Sequence, residues 1–179
     1  MRAMQLTVSF ENREVVKLTG ASERALRYWG DRRIVVPDIA DAVGRPGIRR
    51  RYSFPNLVEC GLVIELVQYG ISPVQLRDIL VFLRKSLYFT HWPRQCFLVI
   101  QQGVAVGVFI DQTLRGHTAR LTARFPRSMK KLSARAKLGD YLELILRDAD
   151  QGDSFLVVTV HAIPERLAAA VGLRYPLSR

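Results

Sequence analysis

Cysteine is scarce in this chain. Its 179 residues hold only Cys60 and Cys96, with no CxxC spacing, which excludes a disulfide framework and a zinc knuckle. Histidine is nearly as rare: His91, His117 and His161 stand far apart, none at a metal-ligand spacing from another histidine, cysteine or carboxylate. Gly103 and Gly107 lie in a β-like run rather than in a loop that opens a helix, so they form no phosphate loop. Asp148, Asp150 and Asp153 lack the further ligands of a calcium loop. No catalytic residue, metal or cofactor is therefore expected, and the chain does not read as an enzyme. No apolar run is long enough to cross a bilayer, and no charged-then-apolar leader opens the sequence. The expected location is the cytoplasm, with no membrane partner.

Acid is missing where base is dense. From Gln112 to Gly139 there is no Asp or Glu, while Arg115, Arg120, Arg124, Arg127, Lys130, Lys131, Arg135 and Lys137 are all basic. The net charge is +11 and the pI is about 10.4, which favours a polyanionic partner. Of the excess, +3 falls in residues 1–80, +9 in 81–140 and −1 in 141–179. Arginine supplies 22 of the 27 basic residues, and a guanidinium fork suits phosphate and guanine better than an ammonium does. The acid-free stretch is either a solvated basic face or a second phosphate-binding surface, with Arg120, Arg124, Arg127, Lys130 and Lys131 as its candidate contacts. Nearly half of the residues are hydrophobic, enough for a folded core in one domain or two small ones.

The N-terminal half is punctuated by helix signals. Residues 1–9 suit a short strand or an ordered arm, and Asn12 can cap a helix carrying Val15, Val16 and Leu18 that Gly20 ends. Ser22 caps a second helix through about Gly30, with Ala25, Leu26 and Trp29 on one face and Arg24 and Arg27 off it. Ile34–Val36 and Ile48–Tyr52 flank a Gly/Pro loop, which predicts a hairpin. Ser53 caps a third helix with Pro55 in its first turn, buried through Leu57, Val58, Leu62, Ile64, Leu66 and Val67 and ended by Gly70. Ser72-Pro73 opens a fourth helix through Leu76, Ile79, Leu80 and Leu83 to about Leu87. Past Pro93 the pattern turns β-like. Phe97–Ile100 and Val104–Ile110 predict a hairpin, Tyr141–Leu146 a strand or short helix, Phe155–Val160 a strand after a turn at Gln151–Asp153, and Pro164 a last helix over Glu165–Val171. The expected fold class is α+β: four helices and a wing in residues 1–90, then a small α+β domain in 94–179.

Several separated motifs agree with one family. Val15-Val16-Lys17-Leu18-Thr19-Gly20-Ala21-Ser22, then Leu26-Arg27-Tyr28-Trp29, then Ile34-Val35 with Pro37 come first. Arg50-Arg51-Tyr52-Ser53, Leu57 and Gly70-Ile71-Ser72 with Leu76 and Ile79 follow in order. Over roughly residues 10–88 the chain resembles the winged helix-turn-helix of the MerR family of bacterial transcription regulators. The resemblance implies that the helix opened by Ser22 enters the major groove of double-stranded DNA. Ser22 would then be counted among the DNA contacts, with Arg24 nearest the bases and Arg27 and Tyr28 at phosphate. Arg49, Arg50, Arg51 and Tyr52 of the wing would grip the backbone or adjacent minor groove. Trp29 suits the core.

The chain departs from the family after its fourth helix, because no sustained heptad follows to form the usual antiparallel dimer helix. A homodimer is still expected, joined by the fourth helix or the C-terminal sheet. Neither cysteine sits where the metal-sensing members place theirs. The expected function is a sequence-specific DNA-binding regulator at the nucleoid, its C-terminal domain serving regulation, dimerisation or partner binding. Two alternatives stay open: a partner-binding protein, antitoxin-like or polymerase-associated, whose winged domain autoregulates; and an architectural protein that binds nucleic acid without sequence preference.

Overall fold

The computed structural model describes residues 9–39, 49–86, 96–101, 104–110, 113–117 and 155–172. Among them are five helices and six strands in two small antiparallel sheets, so the protein mixes helix and strand. The chain divides into two compact units, Met1–Arg77 with Arg166–Leu173, and Asp78–Glu165 with Arg174–Arg179.

In the first unit, β1 (Phe10–Glu11) leads directly into α1 (Asn12–Thr19). The cap of α1 is Glu11 rather than the expected Asn12. The Glu14 carboxylate reaches back to accept the Glu11 N–H at 2.8 Å, which settles the helix start one residue early. Asn12 is then inside the helix, its amide oxygen buried and without a hydrogen-bond partner among the described residues. Gly20 ends α1 at φ +80°, and its N–H donates to the Val16 carbonyl. The Thr19 hydroxyl donates to the Val15 carbonyl at 2.7 Å and accepts the Ala21 N–H at 3.2 Å, which holds the turn into α2 (Glu23–Asp31).

Helices α2 and α3 (Phe54–Gln68) end in the same way. After α2, Ile34 N–H donates to the Trp29 carbonyl at 2.8 Å and Arg33 N–H to the Gly30 carbonyl at 3.0 Å. After α3, Ile71 N–H donates to Leu66 at 3.2 Å and Gly70 N–H to Val67 at 3.0 Å. Both are Schellman closures, which need one left-handed residue. Gly70 supplies it at φ +75°, but after α2 the left-handed residue is Arg33 at φ +56°, a conformation that costs a side-chain-bearing residue about 1–2 kcal/mol. The closure also explains why Ile34–Val36 is not a strand, contrary to the expected hairpin. Ile34 and Val35 are drawn into the core beneath the end of α2 instead. The partner of β2 (Arg51–Tyr52) is β1, with Phe10 opposite Tyr52 and Glu11 opposite Arg51.

Helix α3 starts as expected, with the Ser53 hydroxyl accepting the Asn56 N–H and Pro55 in the first turn. Leu57, Val58, Leu62, Val63 and Leu66 are fully buried, each worth about 1.5–3 kcal/mol of transfer free energy. Two expected core positions differ: Ile64 is only half-buried and Val67 is exposed. Helix α4 (Pro73–Ser86) opens on a reciprocal cap, Ser72 N–H to Gln75 Oε1 at 2.8 Å and Gln75 N–H to Ser72 Oγ at 3.4 Å. Its predicted stripe, Leu76, Ile79, Leu80 and Leu83, is buried.

The second unit contains a four-stranded sheet in the order β5-β4-β3-β6, from β3 (Cys96–Gln101), β4 (Val104–Ile110), β5 (Thr113–His117) and β6 (Phe155–Thr159). The β3–β4 pair and the β6 strand match the sequence expectation, whereas β5, at the start of the acid-free stretch, has no counterpart among the expected strands. Central β3 buries Cys96, Leu98, Val99 and Ile100, as a strand flanked on both edges should. Past β6, Val160 N–H donates to the Cys96 carbonyl and His161 Nδ1 accepts the Cys96 N–H at 3.0 Å. The last helix, α5, spans Ala162–Ala170 and begins earlier than expected; Pro164 lies in its first turn, where a missing N–H loses nothing. The expected elements at 1–8, 141–146 and 151–153 lie outside the described residues.

Candidate nucleic-acid interface

Helix α2 has two unlike sides. Leu26, Trp29 and Gly30 are buried, while Arg24, Arg27, Tyr28 and Asp31 are exposed, as a 100° step per residue separates them. Ser22 fixes the helix start, its hydroxyl accepting the Ala25 N–H at 3.0 Å, so this hydroxyl is engaged with the helix backbone. Arg24 and Arg27 form no ion pair among the described residues. Tyr28 is 40% exposed, and the Arg32 guanidinium lies over its ring, 5.7 Å from the centroid.

The arginine run before α3 alternates. Strand periodicity sends successive side chains to opposite faces, and here Arg49 and Arg51 face outward while Arg50 and Tyr52 face inward. The Arg49 side chain is 84% exposed and that of Arg51 50%, against 12% for Arg50. Arg50 donates to the Asp31 carboxylate at 2.7 Å and to the Arg27 carbonyl at 3.3 Å. It therefore ties the run to the C-terminal half of α2 instead of standing free for a ligand. Tyr52 is 1% exposed and packs in the core opposite Phe10, so its hydroxyl has no route to a surface ligand. Of the eight residues expected at the site, Arg24, Arg27, Tyr28, Arg49 and Arg51 present side chains outward, Ser22 caps, and Arg50 and Tyr52 are structural. The candidates Arg120, Arg124, Arg127, Lys130 and Lys131 lie outside the described residues.

Glu11 sits opposite Arg51 across the β1–β2 pair and approaches both outward arginines, at 3.4 Å from Arg51 and 3.9 Å from Arg49. Sequence reasoning missed this acid. The signal was present only as a charge opposite to that of Arg51, whose strand was paired with Ile34–Val36 instead of β1. Asp38 was missed as well. Its carboxylate accepts the Ser53 N–H at 3.0 Å and the Ser53 hydroxyl at 2.6 Å, and Asn56 Oδ1 accepts the Asp38 N–H at 2.9 Å. The segment leaving α2 is thereby anchored to the start of α3.

No protein-family model matches the chain, and no curated protein matches its sequence. Among the described residues no group of His, Cys, Asp and Glu is placed to hold a metal, and no helix is long and apolar enough to cross a membrane. Cys60 is completely buried beside Glu59, and burial first, then that carboxylate, push its thiol well above the ordinary range. Such a thiol stays neutral and unreactive.

Proposed function

We propose that this protein is a sequence-specific double-stranded DNA-binding transcription regulator of the MerR type. In this reading α1 and α2 form the helix-turn-helix, α2 enters the major groove, and the 49–51 run acts as a wing. One observation carries it: α2 turns Arg24, Arg27 and Tyr28 outward from a buried Leu26–Trp29 face, and Arg50 pins the exposed Arg49 and Arg51 beside it. Arg24 reads a base edge, where a bidentate fork to guanine discriminates best. Arg27, Arg49 and Arg51 hold phosphates and fix the register. The active species is a homodimer reading two half-sites.

Sequencing the duplexes retained from a random pool tests this. An enriched motif with two half-sites spaced by about one helical turn, or a multiple of it, supports a dimeric regulator. Retention without any enriched motif overturns sequence-specific reading in favour of architectural binding.

A second reading has an observation of its own. Val67, Tyr69 and Val74 are 48%, 62% and 62% exposed around the α3–α4 turn, a setting that suits a protein partner. In that case the winged unit regulates its own gene while the protein acts by binding another chain. Loss of a defined stoichiometric complex on Tyr69→Ala, with duplex binding intact, would favour it.

A further inference from the structure

Arg13 stands where the fold gains nothing from it. It lies in the first turn of α1, two residues after the cap Glu11. The free N–H groups of that turn give a helix start a positive character, which disfavours a cation. Two residues along a helix are about 200° apart around its axis, so position 13 faces away from Val15, which is completely buried, and Arg13 is exposed. Arg13 forms no ion pair among the described residues. Lys17, in the last turn of the same helix, is a cation where the helix dipole favours one. Neither packing nor a charge partner offsets the position of Arg13.

The two acids beside it are already engaged. Glu14 accepts the Glu11 N–H at 2.8 Å, and the Glu11 carboxylate lies 3.4 Å from Arg51 and 3.9 Å from Arg49. Helix α1 grows directly out of the strand pair in which Glu11 stands opposite Arg51. Two residues of chain span at most about 7 Å, so the backbone of Arg13 is within that distance of Glu11. Arg13, Arg49 and Arg51 therefore gather around Glu11 and outnumber the local acids. These cations are strung along a strand and a helical turn, which suits an extended polyanion, and a guanidinium fork matches phosphate oxygens.

We propose that Arg13 is a phosphate contact for duplex DNA, which extends the edge formed by Arg49 and Arg51 onto the first turn of α1. It contributes affinity without sequence preference and sits at the helix start against the dipole. The proposal rests on the duplex-binding reading above and adds one contact to it. An exposed arginine also adds to the overall positive charge, and the test separates that general effect from a contact.

Arg13→Gln and Arg13→Lys are compared with wild type for melting temperature and for binding to a random-sequence DNA duplex across a salt series. Lys85→Gln, which removes an exposed cation from the end of α4, measures the general effect of one lost charge. For a phosphate contact, Arg13→Gln keeps or raises the melting temperature. Its slope of log K against log salt becomes shallower by about 0.9, and its affinity at 0.15 M salt drops by about fivefold. Arg13→Lys keeps the wild-type slope, and Lys85→Gln stays close to wild type. The contact is overturned if Arg13→Gln binds with wild-type affinity and slope, or if Lys85→Gln loses as much. A lowered melting temperature in Arg13→Gln would give the arginine a part in folding and overturn the argument from its position. A wild-type protein that shows no salt-dependent duplex binding sinks the parent reading, a result distinct from wild-type binding that Arg13→Gln shares.

Discussion

The guanidinium of Arg50 lies against the backbone of α2 at Gly30, where a β-carbon would fall 2.9 Å from Nη1 and 3.1 Å from Cζ. Helix interiors disfavour glycine by about 0.8–1.0 kcal/mol relative to alanine, yet here the missing side chain is the space in which Arg50 reaches Asp31 and the Arg27 carbonyl. Two effects of similar size oppose each other in Gly30→Ala: better helix propensity, and eviction of a half-hidden hydrogen-bonded arginine worth about 1 kcal/mol. The single variant should therefore change stability little. In an Arg50→Ala background the clash is gone, and Gly30→Ala should stabilise by about 1 kcal/mol. Urea unfolding of the four proteins gives the coupling, and simple additivity would show that Arg50 does not need the glycine.

Glu11 competes with the proposed ligand. Its carboxylate stands between Arg49 and Arg51, both largely exposed, and exposed ion pairs of this kind contribute only ~0–1 kcal/mol to folding. Glu11→Gln should leave the melting temperature nearly unchanged while tightening duplex binding roughly two- to fivefold at low salt, because phosphate no longer displaces an internal anion. Fluorescence anisotropy at two salt concentrations checks it. Unchanged affinity would place the duplex away from the 49–51 run.

The links made by Asp38 are unusual for a residue in a connecting segment. Two carboxylate oxygens engage the backbone and side chain of Ser53, and Asn56 returns a bond to the Asp38 N–H. Asp38→Ala leaves Ser53 capping α3 but removes both charge-assisted bonds. A loss of about 1–3 kcal/mol is expected, read by thermal or urea denaturation. A loss below ~0.5 kcal/mol would mean that water replaces the carboxylate freely.

The helices were legible because their signals are local. Ser22, Ser53 and Ser72 mark starts, and Gly20 and Gly70 mark ends, each acting within four residues of its partner. The pairing of β2 was not legible, because its partner lies some forty residues away in a two-residue strand and Ile34–Val36 offers a more β-branched decoy. The same error hid Glu11. Alternation across an extended segment assigns Arg50 and Tyr52 to one face and Arg49 and Arg51 to the other, so the arginine run is split between a packed and an exposed side. What no sequence rule supplied is the strained Arg33, since arginine is an ordinary residue until its φ is known.

Both thiols are buried, Cys60 in α3 and Cys96 in β3. Burial raises the Cys60 pKa, so as pH climbs through the range where a free cysteine ionises, this one remains protonated. The native protein should react with neither iodoacetamide nor a chromogenic disulfide at pH 8, and both cysteines should react in denaturant. Rapid native labelling of Cys60 would show that α3 opens far more readily than its buried Leu57, Leu62 and Leu66 imply.

Arg24 and Arg51 separate the two kinds of contact that a specific regulator needs. Arg24 is exposed near the start of α2 with no competing acid bonded to it, whereas Arg51 sits on a strand beside Glu11 and Ser9. Arg24→Ala should lower affinity for the selected sequence by about 1–3 kcal/mol and relax preference at one position of each half-site, with a much smaller effect on random DNA. Arg51→Ala should weaken selected and random duplexes alike and make the salt slope shallower by at most about 0.9, less if Glu11 already neutralises part of its charge. Parallel titrations on both duplexes decide between the roles. Equal weakening by Arg24→Ala on the two would move it to the phosphates, and an unaltered slope in Arg51→Ala would remove that residue from the contact surface.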